Sequence, residues 1–156
     1  MEIMRFKGKY TIDSLNVLTN ERKRTVIDNV LTQGFFDSIF AFLDQGVTGQ
    51  DADVIDLNYF AYGEGTTTAL RADTLLEDEI FRKLISSKSN TTTKYKCVLS
   101  VATSEGNPTG GYIKEIGIFS QGTATEDTGT LISRANTNVQ KNSNIQLLIT
   151  WEMNTI

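Results

Sequence analysis

Apolar and polar residues alternate regularly near the C-terminus of this chain. Ile145, Leu147, Ile149, Trp151 and Met153 occupy every second position, and mostly polar residues fill the positions between them. A period of two residues is typical of a strand that buries one face. The same period predicts strands over residues 54–62 and 94–101, and two further β-like segments are predicted over residues 112–119 and 131–135. Segments rich in turn-forming residues separate these strands, which favours antiparallel connections.

The segment from residue 20 to residue 31 follows a helical period instead. Val26, Ile27, Val30 and Leu31 recur at the spacing that places apolar side chains on one face of a helix. Thr19 or Asn20 would cap this helix, because a short side-chain oxygen there accepts an otherwise unpaired backbone N–H. The pattern predicts a first helix over residues 20–31.

A second helix is predicted over residues 75–86. Leu76, Ile80 and Leu84 form an apolar stripe at helical spacing. Thr74 precedes Glu77 by three positions, which is the pattern of a capping box. With two helices and several antiparallel strands, we expect an α+β fold, an antiparallel β-sandwich with an extended N-terminal arm or strand.

The first 17 residues form a segment of their own. Arg5, Lys7 and Lys9 alternate with apolar or small residues, which fits an extended conformation. This segment is either an edge strand of the domain's own sheet or an arm that reaches a neighbouring subunit. Residues 18–156 are expected to form a single domain, since a chain of 156 residues suits one core.

A cluster of phenylalanines follows the first predicted helix. Phe35, Phe36, Phe40 and Phe42 lie within eight residues, and large aromatic side chains are costly to leave in water. Core filling is the simpler interpretation of this cluster. A subunit interface or an apolar anchor patch is the alternative.

The composition removes many kinds of active site. The chain has no His, and its only Cys is Cys97, so Ser-His and Cys-His nucleophile pairs, imidazole metal sites and internal disulfides are excluded. Thr, Asn and Ser supply 21, 11 and 10 residues, a mixture that favours strands and exposed turns. We therefore expect a protein that is not an enzyme and that has no cofactor and no metal.

Charge and hydropathy argue against two classes of partner, nucleic acids and membranes. The formal net charge is −4, which gives no general reason for the chain to coat nucleic acid. The sequence contains no apolar run of the length that a membrane helix requires, and the N-terminus lacks the apolar region of a signal peptide. We expect no membrane partner and synthesis in a reducing cytoplasm.

Three short patterns are candidates for ligand binding or catalysis. Gly63-x-Gly65 follows a predicted strand, but Thr68 stands where a dinucleotide site needs its third glycine. Asp51, Asp53 and Asp56 lack the spacing of an EF-hand, so a solvated acidic loop is favoured over a calcium site. Cys97 lies on the apolar face of a predicted strand, which favours a buried structural role.

From residue 16 onward, the order of motifs resembles a family of small virion proteins of tailed bacteriophages. The shared motifs are Leu18-Thr-Asn, Gly63-x-Gly65-Thr-Thr, Asp73-Thr-x-Leu with Glu79-x-x-Arg82, Glu105-x-Asn107, Ile113-x-Glu115-x-Gly117-x-Phe119, Gly129-x-Leu131-x-x-Arg134-Ala, Lys141, and Thr150-Trp151. Members of the family are described as tail or collar fibre, minor structural or capsid-surface proteins. Each motif alone is weak, and their order over about 140 residues carries the resemblance.

The resemblance implies a non-enzymatic structural subunit of a virion. Such a subunit would assemble by surface complementarity on the tail, collar or baseplate, or as a capsid decoration protein. Its partners would be other virion proteins and copies of itself in a homo-oligomer. A carbohydrate- or host-surface-binding module is the alternative, with Tyr59, Tyr62 and Tyr112 as candidate contacts for sugars.

Glu115 has a structural role in this interpretation. It is a lone carboxylate on an otherwise apolar predicted strand, and a buried carboxylate requires a partner. Arg82 or Arg134 could supply that partner. We therefore expect a buried ion pair that includes Glu115.

Overall fold

Two antiparallel sheets make up most of the molecule. The computed structural model describes the backbone of residues 5–48 and 55–155, and the side chains of residues 5–41 and 55–155. Within these ranges it contains ten strands and one helix. The strands are β1 (Phe6–Asn16), β2 (Arg22–Asp28), β3 (Val30–Leu31), β4 (Leu57–Gly63), β5 (Glu79–Leu84), β6 (Ser87–Asn90), β7 (Lys94–Val101), β8 (Tyr112–Ser120), β9 (Thr130–Gln140) and β10 (Ile145–Thr155), and the helix is α1 (Gln33–Thr48).

The two sheets face each other across one apolar core. Sheet A has the order β2-β1-β10-β7-β6, and sheet B has the order β3-β9-β8-β4-β5. Side chains from both sheets meet in the core, among them Trp151 and Ile149 of β10 and Phe60 and Tyr62 of β4. These two facing sheets confirm the predicted antiparallel β-sandwich. The fold forms because strands with a two-residue apolar period can bury their apolar faces only against a second layer.

The strand β1 lies inside sheet A. It pairs with β10 along its whole length and with β2 on its other side. Tyr10 and Ile12 point into the core, and Lys7 and Lys9 point away from it. Residues 6–16 are thus an internal strand, in place of the expected edge strand or free arm, while residues 1–4 of the predicted segment lie outside the described residues.

The helix predicted over residues 20–31 is wrong. The structure places β2 and β3 there. Thr19 and Asn20 belong to the turn between β1 and β2, where Asn16 Oδ1 accepts the N–H of Thr19 at 3.2 Å and Asn20 adopts a φ of 58°. Asn tolerates this left-handed conformation well and is therefore suited to a hairpin turn. Val26 and Ile27 are adjacent β-branched residues that face opposite sides of a strand.

The helix predicted over residues 75–86 is also wrong. Residues 79–84 form β5, which pairs with β4 at the edge of sheet B. Glu77 does not cap a helix, because its Oε2 accepts the N–H of Thr67 at 2.7 Å across the preceding loop. Leu76 packs on sheet B, and Leu84 is exposed. Ladder hydrogen bonds to β4 thus override the local helical spacing.

The single helix of the described residues covers the phenylalanine cluster. Phe35 is buried in the core and packs edge-to-face on Phe6 of β1 and on Phe36, with ring centroids 5.4 and 5.2 Å apart. Gly34 lets the first turn approach β9, because a Cβ there would lie 2.7 Å from the carbonyl oxygen of Leu131. The predicted fold with two helices therefore becomes a sandwich with one.

The two sheets differ in what covers their outer faces. Loops 64–78 and 121–129 lie over the outer face of sheet B, where Leu76 packs with Ala61, Phe119 and Leu131. We call these two loops the loop layer. The outer face of sheet A has no such cover among the described residues, and Thr11, Leu148 and Thr150 lie on it, at least partly open to solvent.

Candidate functional site

Glu115 is a fully buried carboxylate under the loop layer. Its Oε1 accepts the backbone N–H groups of Gly65 at 3.2 Å and Asp78 at 2.8 Å. Its Oε2 accepts the N–H of Glu77 at 3.0 Å and the Nε–H of Arg134 at 3.0 Å, and Arg134 Nη2 lies within ion-pair distance of the same oxygen at 2.8 Å. A single side chain thus ties both ends of loop 64–78 to β8 and pairs with a cation, which offsets the cost of its burial.

Arg134 extends this network across the loop. Its Nη1 donates to Asp73 Oδ2 at 2.6 Å, and its Nη2 donates to the carbonyl oxygen of Thr67 at 3.2 Å. Burial lowers the pKa of the guanidinium and the hydrogen bonds to Asp73 and Glu115 raise it, with a net upward direction. Arg134 therefore stays charged and holds the middle of the loop, while Glu115 holds its ends.

The two glycines of Gly63-x-Gly65 create the space for this carboxylate. A Cβ on Gly65 would lie 2.3 Å from Glu115 Oε1, and a Cβ on Gly63 would lie 2.0 Å from the carbonyl oxygen of Asp78. Any side chain would therefore push the loop away from Glu115. The glycine pair that superficially suggests a phosphate cradle receives a carboxylate of the same chain.

Arg82 does not reach Glu115 and forms a second buried pair. Its Nη2 donates to Glu79 Oε2 at 2.7 Å, and both side chains are almost completely buried. Residues three apart on a regular strand face opposite sides, but here Gly63 pairs with Glu79 and Tyr62 pairs with Phe81. The extra residue between them is a β-bulge, which places Glu79 and Arg82 on the same face.

Arg82 also holds the second loop of the loop layer. Its Nη1 donates to the carbonyl oxygens of Thr123 at 3.1 Å and Thr128 at 3.0 Å. The guanidinium lies 4.7 Å from the ring centroid of Phe119, which is a cation–π distance. Arg82 thus fixes loop 121–129 to β5, in the same way that Glu115 and Arg134 fix loop 64–78 to β8 and β9.

Lys141 is a third buried cation and ties down the connection between β7 and β8. Its Nζ donates to Asn107 Oδ1 at 2.6 Å and to the carbonyl oxygens of Thr103 at 3.2 Å and Asn142 at 3.3 Å. Burial lowers the pKa of Lys141, while the carboxylate of Glu105 acts in the opposite direction. The Glu105-x-Asn107 turn and Lys141, which are both motifs of the resemblance, are therefore in contact.

The other candidate groups have structural surroundings. Cys97 is buried, and burial raises the pKa of its thiol to about 12, so it is not an activated nucleophile. Asp56 pairs with Lys88 at 2.6 Å. Asp51 and Asp53 lie outside the described residues.

The residues predicted as core or interface include both buried and exposed side chains. Phe35 is buried and Phe36 is partly buried, with Arg71 stacked 4.2 Å from its ring centroid. Phe40 is 64% exposed on α1, and the side chain of Phe42 lies outside the described residues. Arg5 and Lys7 are exposed, and Lys7 is 3.7 Å from Asp28.

The three tyrosines proposed as sugar contacts do not form a common surface. Tyr62 is fully buried, and its hydroxyl donates to the carbonyl oxygen of Gly106 at 2.9 Å. Tyr59 is half-buried, and the guanidinium carbon of Arg82 lies 5.8 Å from the centroid of its ring. Only Tyr112 of the three is exposed, and Lys114 lies 5.0 Å from its ring.

Sequence analysis missed three members of these networks. Asp73 and Glu79 were assigned only to motifs, and Lys141 only to a turn. No local pattern marks these three residues as buried or partly buried, because their burial and their partners depend on strand pairing and loop packing that the local sequence does not show.

No cluster of three or more metal-ligating side chains occurs within residues 5–48 and 55–155 as far as the structure describes them. In the same part of the chain, no helix is long and apolar enough to cross a membrane. Comparisons with protein-family models, curated proteins and solved structures gave no match to this chain.

Proposed function

We propose that this protein is a non-enzymatic structural subunit of a tailed-phage virion. It assembles by surface complementarity on the tail, collar or baseplate, or as a capsid decoration protein. Its partners are other virion proteins and further copies of the chain. Its place of action is the virion, after synthesis in the cytoplasm of the host cell.

The observation that carries the proposal is the use of the buried charges. Four buried charged side chains form hydrogen bonds with backbone groups of a loop and thereby fix that loop on the sandwich. They are Glu115, Arg134, Arg82 and Lys141. Long loops are usually the mobile parts of a β-sandwich. Fixed loops give a surface of constant shape, which repeated assembly into a particle requires.

The convergence of the family-like motifs supports the same proposal. Gly65, Glu115 and Arg134 come from three motifs that are up to 69 positions apart, and they meet in one network. Asn107 and Lys141 come from two others and are 2.6 Å apart. The motifs thus describe a scaffold for loops.

Fractionation of particles tests the proposal. Lysate from cells that produce the phage is separated on a density gradient, and the protein is followed by immunoblot. We expect the protein to sediment with intact particles, tails or capsids and to remain with them through a high-salt wash. Recovery of infectious particles that lack the protein would overturn the proposal.

The carbohydrate-binding alternative has one observation in its favour, the exposed Tyr112 beside Lys114. An aromatic face can stack on a sugar ring. A glycan array with the purified chain separates the two functions. Binding that Tyr112→Ala abolishes, from a protein that does not sediment with particles, would favour the alternative.

A further inference from the structure

The outer face of sheet A carries an excess of positive charge. Strand alternation and register place nine charged side chains on it. The basic ones are Lys7, Lys9, Arg22, Arg24, Lys94 and Lys96, and the acidic ones are Asp13, Asp28 and Glu152. This face therefore has a formal charge of +3 (six minus three) on a chain whose net charge is −4.

The same face also presents apolar surface. Val26 is 58% exposed on β2 and Leu148 is 45% exposed on β10. A groove of about 730 Å³ runs past Arg22, Arg24 and Leu148. Apolar side chains surrounded by charges are typical of a protein–protein contact.

The opposite side of the molecule is acidic. The loop layer contains six acidic residues and one basic residue, Arg71, and the acidic ones are Glu64, Asp73, Glu77, Asp78, Glu126 and Asp127. The buried pairs beneath it, Glu115 with Arg134 and Glu79 with Arg82, cancel in formal charge. Leu70 is 57% exposed on this layer and Leu75 is 40% exposed. Both outer sides thus combine apolar side chains with charge, and the charges have opposite sign.

The edges of sheet A are poorly suited to assembly. The edge strand β2 begins with Arg22, Lys23 and Arg24, and the other edge, β6, is a fully exposed polar strand of four residues with Lys88 at its centre. Lysine and arginine on an edge discourage the addition of a further strand. A contact between copies of this chain would therefore use the faces of the sandwich.

From this polarity we infer that the outer face of sheet A docks on the loop layer of a second copy of the chain. The contact is head-to-tail, because it joins two different surfaces. A heterologous contact of this kind produces a closed ring or an open stack. The inference rests on the proposed function, since a structural subunit of a virion is present in many copies.

A charge swap tests the contact. The first variant combines Arg22→Glu with Lys96→Glu and makes the sheet A face acidic. The second combines Asp78→Lys, Glu126→Lys and Asp127→Lys and changes the formal charge of the loop layer from −5 (one minus six) to +1; these three acidic side chains are exposed. Self-association is measured by analytical ultracentrifugation at low and high salt, and retained folding is checked from the thermal unfolding of each variant.

The wild-type chain is expected to self-associate more weakly as salt rises. Each variant alone should self-associate at least about tenfold more weakly than the wild type, which corresponds to about 1.4 kcal/mol. An equimolar mixture of the two variants should recover association, because the swapped faces are again complementary. The control is Lys88→Glu with Lys114→Glu, which makes the same change in net charge as the first variant away from the groove and the outer face of sheet A and should associate like the wild type.

Three results would overturn the inference. They are a wild-type chain that stays monomeric at about 1 mM and low salt, self-association that neither swap weakens, and variants that do not recover on mixing. Binding of a DNA duplex of about 30 base pairs that only the sheet A variant loses would assign the face to nucleic acid instead. Particles that contain the protein while any of these results holds would leave the proposed function standing and remove only this contact.

Discussion

At the scale of single residues, the fold depends on charges that are buried and fully bonded. Glu115 accepts bonds from three backbone N–H groups and one guanidinium, and Arg134 in turn donates to Asp73. A buried pair of this kind contributes little net stability compared with apolar residues, but removing one member leaves the other charge uncompensated. The residue-scale predictions follow from that asymmetry.

Glu115→Gln is expected to lower the free energy of unfolding by about 3–5 kcal/mol, since it leaves Arg134 without its buried partner. Urea unfolding at neutral pH, followed by the fluorescence of the single and buried Trp151, measures the change. Asp78→Asn is the matched control on the exposed surface and should change stability by less than about 0.5 kcal/mol. Equal stability of Glu115→Gln and the wild type would contradict the role assigned to this carboxylate.

The buried phenol of Tyr10 is expected to make the free energy of unfolding fall at alkaline pH. Burial raises the pKa of its phenol, with the hydrogen bond to Ser133 acting in the opposite direction. Above about pH 10 the unfolded chain loses this proton while the folded chain retains it, so the free energy of unfolding falls by about 1.4 kcal/mol per pH unit for this group.

Tyr10→Phe should therefore reduce the alkaline slope by about one proton's contribution. Urea unfolding at intervals from about pH 8 to pH 11 gives the slope for each protein. Tyr112→Phe removes an exposed phenol and serves as the control, with the slope of the wild type expected. An unchanged slope in Tyr10→Phe would show that this phenol does not contribute to the alkaline loss of stability.

At the scale of elements, each loop of the loop layer has its own buried arginine. Arg134 bonds to loop 64–78, and Arg82 bonds to loop 121–129. Arg134 bonds to Glu115, Asp73 and Thr67, and Arg82 bonds to Glu79, Thr123 and Thr128, so the loops are expected to be held independently of each other.

Hydrogen exchange can measure this independence. Arg134→Met should accelerate exchange of the amides of Gly65 and Asp78 at least about tenfold while loop 121–129 keeps its protection. Arg82→Met should have the reverse effect, so each variant is the control for the other. Equal loss of protection in both loops from either substitution would indicate a single cooperative layer instead.

The elements also show how far sequence patterns extend. The alternation in 94–101 and 145–153 identified β7 and β10 because mainly one face of each strand is buried, whereas β8 was recognised as a largely apolar strand and is buried on both faces under the loop layer. The predictions for segments 20–31 and 75–86 failed because local spacing does not show the ladder partners of a segment, which are β1 for β2, β9 for β3 and β4 for β5. The partner of Glu115 remained open between Arg82 and Arg134 for the same reason, since the bulge that turns Arg82 toward Glu79 depends on pairing with β4.

At the scale of the whole molecule, the sandwich has two unlike sides. One is the open and basic face of sheet A, and the other is an acidic loop layer fixed by buried cations. A molecule with opposite charge on opposite sides associates in one orientation, because like sides repel each other. Under the proposed function, this polarity orients each copy of the chain relative to the next.

The central claim is that the chain is a structural subunit of a virion. Cryo-electron microscopy of the purified particle tests this claim most directly. The account predicts repeated copies of a sandwich of two five-stranded sheets in the tail, collar, baseplate or capsid surface, with the sheet A face of one copy on the loop layer of the next. A complete map of an infectious particle in which no density accommodates this sandwich would contradict it.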